Sequence, residues 1–333
     1  MNVRIQKPRG PMIGVGSPVV DRIARVPEVF LETAGGEKGG MELVDAETLD
    51  RLLASVPEPP LRAPGGSAGN TAFAMARLGM ASRFLGAVGV DAEGAYYRNA
   101  FRDIGGDIAA FRTRDDLPTA RCLSLVTPDG ERTMRTHLGA AMTLAPDEVS
   151  PADFAGCAHA HIEGYLLFNP DLMRRVLAAA KGAGCPVSVD LASFEVVEAS
   201  RTTLPELLAE FVDIVFANEE EAEAFAGNSD PAVGLEALGK FCDTVAVKLG
   251  ADGALLRRGT ETVRVPAVPV DAVVDTTGAG DFWAAGFLYG LLNGFDLGKS
   301  GDCGAALGAA AVTLEGTTLP EADWNRLRDR VAA

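Results

Sequence analysis

The chain has 333 residues, 47% of them hydrophobic and 23% charged. At roughly 150 residues per domain that predicts one large or two modest domains with a core of their own, and it excludes disorder and coiled coil. Thirty Lys+Arg against 46 Asp+Glu leave a net charge of −16, which repels a phosphate backbone, so nucleic acid is not an expected partner.

In chain order, short β-branched runs alternate with amphipathic stretches. Strands are expected at Met12 (MIGVG), Ser82 (SRFLGAV), Ala160 (AHIEGYLL), Pro186 (PVSVD), Asp213 (DIVFAN) and Thr244 (TVAVKL). Helical spacing fills the intervals Asn70 to Leu78, Ala92 to Ile104, Asp171 to Lys181, Glu219 to Ala226 and Val233 to Phe241. Two further Ala- and Gly-rich helices are expected from Gly278 to Asn293 and from Gly298 to Leu314. The alternation predicts a doubly wound α/β fold, a mostly parallel sheet with helices on both faces. Two stretches break the rhythm, about 21–60 and 108–137; the second holds alternating RCLSLV and RTMRTHL segments around a Pro128-Asp129-Gly130 turn. They predict a small β-rich lid inserted in a single domain, rather than two ordinary surface excursions.

The sharpest chemical signal is Asp275-Thr276-Thr277-Gly278-Ala279-Gly280-Asp281, opening an apolar helical stretch. A helix N-terminus leaves backbone amides without partners, and Gly278, Ala279 and Gly280 let an anion approach them unobstructed. Asp281, in the first turn, stands where it can accept a proton from an attacking hydroxyl. The competing reading is that Asp281 only caps the helix. A second signal is Pro64-Gly65-Gly66-Ser67-Ala68-Gly69-Asn70 leading into a small-residue helix. Gly65 and Gly66 suit a hinge, and Asn70 offers a donor and an acceptor to sugar hydroxyls.

These two motifs, in this order, resemble the signatures of the PfkB family, the ribokinase-like carbohydrate and nucleoside kinases. Between them Asn218-Glu219-Glu220-Glu221 is similar to the family's Asn-x-x-Glu, and Lys248-Leu249-Gly250-Ala251-Asp252-Gly253 to its nucleotide-binding turn. The resemblance implies a ribokinase-like fold with a β lid, ATP as donor, and Asp281 as base on a CH₂OH acceptor. It implies nucleotide contacts at Asn218, Lys248, Gly250 and Gly253. Mg²⁺ is implied at Glu221 and Asn218, directly or through water, and a monovalent cation such as K⁺ at Asp275 and Thr277. Gly16-Ser17-Pro18-Val19-Val20-Asp21 and the segment Thr127 to Met134 resemble the adenosine-kinase branch. That places Ser17 and Asp21 with Gly65, Gly66 and Asn70 at the substrate. Ser17 and Arg135 stand where that branch usually has Asn. A nucleoside acceptor therefore ranks first and a free sugar second; monomer and homodimer both stay open.

Five scattered cysteines without a Cys-x-x-Cys pair, no apolar core in MNVRIQKPRGPM and no run near the ~18 apolar residues of a membrane helix point to a reducing cytoplasm and no membrane partner. Cys157-Ala158-His159-Ala160-His161 has metal-like spacing but too few ligands. Gly14-Val15-Gly16 lacks the third glycine of a dinucleotide fingerprint, and Gly294 to Ser300 is one residue short of a phosphate loop. Arg121, Arg132 and Arg135 read as a solvated lid face ahead of a phosphate grip. A catalytically silent sensor on the same fold is the rival reading, opposed by the intact Asp281 and its glycines.

Overall fold

A computed structural model describes residues 10–129 and 131–332; Gly130 of the expected turn and the opening nine residues lie outside them. All six expected strands form and line up side by side. From one edge the order runs Ser82–Leu85, Met12–Val15, His159–Glu163, Val187–Asp190, Ile214–Asn218, Thr244–Lys248, each parallel to the next. An antiparallel hairpin, Ala254–Arg258 and Glu261–Val265, extends the far edge to eight strands.

The strands read as unbroken apolar runs because helices cover both faces. Ile13, Val15, Val215 and Val245 pack into one core, with Val176 and Leu177 of the helix Pro170–Gly182. Their neighbours Met12, Phe216 and Ala246 enter the other, with the helices Ser67–Arg77, Ala279–Leu292 and Leu297–Ala311. The last two lie unusually close: a β-carbon on Gly304 would stand 2.8 Å from the Trp283 ring, and one on Gly286 would collide with the Cys303 carbonyl. Small residues here fix the helix that begins at the Gly278 turn.

Parts of the chain depart from expectation. The strand at Ala160 stops at Glu163, and Gly164–Phe168 turns as a 3₁₀ helix. The helices Phe194–Ala199, Leu204–Phe211 and Glu321–Ala332 carried no helix expectation.

A second, five-stranded sheet lies apart in the topology, ordered Met41–Leu43, Arg132–His137, Ala120–Val126, Val19–Arg25, Leu61–Gly65. It draws on 19–25 and 61–65 as well as on the two irregular stretches. Within the first stretch Ala46–Ser55 is a helix, N-capped by Asp45 and burying Leu49 and Leu52 against Leu123 and Leu125. Arg112–Arg114 pairs instead with Ala87–Gly89. The solvated-face reading of the arginines fails: Arg135 is fully buried, donating to the carbonyls of Ala34, Gly35 and Met134, and Arg132 binds Asp275. Arg121 pairs with Asp50.

Candidate active site

In an open parallel sheet the crevice outside the carboxyl ends of the strands is where ligands bind. Here those ends carry Glu163, Asp190, Asn218 and Lys248, with Glu163 level with Asp190 and Asn218 level with Lys248. The helix Ala279–Leu292 points its N-terminus into the same crevice, because a β-carbon on Gly280 would stand 3.0 Å from Lys248 Nζ.

Gly278 caps that helix at φ +71°, a left-handed conformation that costs other residues about 1–2 kcal/mol. A β-carbon there would also stand 2.7 Å from Thr317 Cγ2. The amide of Ala279 is spent on the Thr276 carbonyl at 3.2 Å. Among the described residues the amides of Gly278, Gly280 and Asp281 have no protein acceptor. Two of the three expected amides are thus open, and the Asp281 amide joins them.

The half-buried Asp281 carboxylate accepts from Ser67 Oγ and from Asn70 Nδ2, each at 2.8 Å, while Thr71 Oγ1 donates to its backbone carbonyl at 3.1 Å. The glycine-rich turn and the Asp281 carboxylate are therefore one structure. Asn70, expected at sugar hydroxyls, points a donor at Asp281. Gly66 enters the helix at φ +87°, where a β-carbon would collide with the Ser17 carbonyl, and one on Gly65 would collide with the Asp21 carboxylate. Ser17 in turn donates its amide to Glu163 Oε1 at 2.8 Å. Ser17, Asp21, Gly65, Gly66 and Asn70 are brought together beside Asp281.

Several acids share little solvent. Burial, followed by the Asp190 charge, pushes Asp281 up to about 6, against hydrogen bonds from Asn70 and Ser67 and the Lys248 charge. Burial likewise pushes Glu163 and Asp21 up to about 7, and raises Glu221, with the Asp190 charge adding to the last. Burial works to strip Lys248 of its proton, yet Asp190 and Glu221 overcome it and hold the ammonium above its ordinary range. Lys248 Nζ sits 2.7 Å from Asp190 Oδ2, so it is neither solvated nor free.

Asn218 and Glu221 form a reciprocal cap: Asn218 Oδ1 accepts the Glu221 amide and Glu221 Oε2 accepts the Asn218 amide, both at 2.8 Å. Asn218 Oδ1 keeps a second lone pair, and Glu221 keeps one carboxylate oxygen. That donor set fits an ion that retains most of its waters and arrives with phosphates. No group of three His, Cys, Asp or Glu able to enclose a metal occurs among the described residues. His159 Nε2 and His161 Nδ1 share Ser188 Oγ at 2.8 and 2.9 Å, a core arrangement. The five cysteines are free thiols.

Asp275 and Thr277 are engaged by Arg132. Gly253, at φ +89°, packs against Val265, Pro266 and Ala267; the last two, with residues of the helix Leu297–Ala311, border a cavity of about 600 Å³. Gly250, also left-handed at φ +51°, meets open space. Sequence reasoning missed Glu163, Asp190 and Ser67, and set Arg132 on a solvated face. The signal for the first two was present: each is an acid ending a buried strand.

Open amides beside a carboxylate on a doubly wound sheet suit in-line phosphoryl transfer to a small-molecule hydroxyl. Residues 59–324 match the pfkB family carbohydrate kinases, and the chain belongs to that family. It is a phosphotransferase with an alcohol acceptor, using ATP and acting on nucleosides or sugars. Aminoimidazole riboside kinase of Salmonella typhimurium is 34% identical over 281 residues, 79% of this chain and 86% of that one. Adenosine kinase of Saccharomyces cerevisiae is 29% identical over 337 residues, covering 93% and 97%. The crystal structure of adenosine kinase from Sinorhizobium meliloti superposes with a TM-score of 0.86 at 35% identity, covering 97% and 99%. No helix among the described residues is long and apolar enough to cross a membrane.

Proposed function

We propose that the chain is a nucleoside kinase that transfers the ATP γ-phosphoryl group to a primary hydroxyl, with Asp281 as general base. In-line transfer needs positioning and charge neutralisation more than covalent help. The amides of Gly278 and Gly280 would hold the γ-phosphoryl oxygens, with Lys248 alongside. Asp281, aimed by Ser67 and Asn70, takes the hydroxyl proton as the oxygen attacks phosphorus and the bond to ADP breaks. Mg²⁺ bound with the nucleotide supplies charge neutralisation on the phosphates, with Glu221 and, directly or through water, Asn218 to hold it. The 600 Å³ cavity beside the Gly250–Gly253 turn is of a size for the nucleoside half of ATP. Asp21, with Ser17 and Gly65–Gly66, would grip the acceptor's ribose hydroxyls, the second sheet acting as the lid that excludes water.

One observation carries the nucleoside ranking over a free sugar. Tyr165 and Phe194, 41% and 42% exposed, follow the strand ends at Glu163 and Asp190. Partial burial, followed by the charges of Glu163, Asp281, Glu221 and Asp190, pushes the Tyr165 hydroxyl up to about 12. Aromatic faces at the mouth of a hydroxyl-binding crevice suit a stacked base. ATP consumption across nucleosides, ribose, fructose and phosphosugars tests this: nucleosides are expected to respond, and a response confined to free sugars would reject the ranking.

A further inference from the structure

The donors expected around a monovalent cation are already in use. Arg132 reaches out of the second sheet, and its single nitrogen Nη1 meets three oxygens: Asp275 Oδ1 at 2.8 Å, Asp275 Oδ2 at 2.7 Å and the Thr277 hydroxyl. Nη2 donates to Ser124 Oγ at 2.6 Å, which ties the guanidinium to its own sheet. The amides of Thr277 and Gly316 donate to Asp275 at 2.9 and 2.8 Å and occupy the carboxylate further. Both partners are shielded, with side chains 13% and 4% exposed. Oxygens converging on one positive point are what a dehydrated alkali cation takes in place of its hydration shell. Here a covalently tethered charge stands at that point, so Asp275 and Thr277 do not fit a metal ion as well.

We propose that Arg132 is a built-in cation: it replaces a monovalent metal ion at Asp275 and Thr277 and orders the loop that runs into the Gly278 turn. Because the second sheet carries it, that order holds only while this sheet is drawn against the first. Breaking a buried pair of this kind leaves an uncompensated charge, which costs more than the pair contributes when intact. Arg132 is thus a positioning residue acting through Asp275, and its role does not depend on which acceptor the kinase prefers.

The test compares KCl with tetramethylammonium chloride at a constant ionic strength of about 0.1 M, so that screening is unchanged. Wild-type ligand-free protein is expected to melt at the same temperature in both salts, and Arg132→Lys likewise. Arg132→Gln is expected to melt roughly 5 °C lower in tetramethylammonium and to recover at least half of that in KCl, since K⁺ can enter the vacated oxygens and the bulky cation cannot. With ATP and a responding acceptor, kcat of Arg132→Gln is expected to fall about 10- to 100-fold, the usual loss for a supporting partner, with rescue by K⁺. An arginine that served stability alone would give a loss that K⁺ leaves untouched, and that result overturns the proposal. So does a wild-type melting temperature that KCl raises, a comparison that stands even should Arg132→Gln fail to fold. The melting arm needs no substrate, so a failure of the nucleoside reading leaves it in force.

Discussion

Two helix junctions, one leaving a strand at Asn218 and one leaving a loop at Gly278, meet at the crevice and use their N-termini in opposite ways. At Asn218 the chain satisfies its own orphan amides with a reciprocal Asn218–Glu221 cap. At Gly278 no side chain caps the helix, and the amides of Gly278, Gly280 and Asp281 stay open. Every helix N-terminus carries partial positive charge, but only one that forgoes a cap has amides to give an anion. The closed junction instead contributes a buried carboxylate with an oxygen to spare, suited to a hydrated cation. The proposed phosphate cradle and cation holder share this crevice, where Lys248 lies beside Gly280 and pairs with Asp190.

The largest expected effect that sharpens this contrast is at the open junction's acid. Asp281→Asn should keep fold and ATP binding while lowering kcat by about 10²- to 10⁴-fold, the usual yield of a general base; steady-state kinetics with nucleotide binding by calorimetry checks both. Turnover near the wild-type value would remove Asp281 from the chemistry. Next comes pH. With Asp281 pushed up to about 6, the acid limb of kcat/KM should fall near pH 6, with roughly tenfold less activity at pH 5 than on the plateau; a limb near 4 would contradict the environment described. Stability should run the other way. Asp281, Glu163 and Asp21 hold their protons longer in the folded chain than in the unfolded one. The ligand-free protein should therefore lose stability as pH rises from about 4 to about 7, read as a falling melting temperature.

At the backbone, Gly278→Ala must adopt a left-handed conformation and crowd Thr317. It should cost about 1–2 kcal/mol by urea unfolding, together with a kcat loss larger than any change in acceptor KM. The smallest effect belongs to the closed junction: Asn218→Ala should cost about 1 kcal/mol of stability and weaken activity mainly at limiting Mg²⁺. Equal catalytic damage from the two junctions would erase the distinction between them.

Much of this was legible in the sequence because it rests on local rules. Buried parallel strands announce themselves as apolar runs, and a glycine-rich turn before a helix announces open amides. What was not legible depends on contacts far apart in the chain. Asn70 reads as a sugar ligand until the fold sets it 2.8 Å from Asp281, 211 residues away. Arg132 reads as a solvated charge in an alternating strand until Asp275, 143 residues on, closes upon it. The hairpin Ala254–Arg258 and Glu261–Val265 escaped because four charged residues interrupt its five apolar ones.

On the proposed mechanism the uncapped junction holds the γ-phosphoryl group. A crystal structure with a non-hydrolysable ATP analogue and Mg²⁺ tests it most directly. The terminal phosphate oxygens should lie about 3 Å from the amides of Gly278 and Gly280, with an Asp281 oxygen facing the space for the acceptor hydroxyl. A terminal phosphate seated over the Asn218–Glu221 cap, away from residues 278–281, would contradict the account.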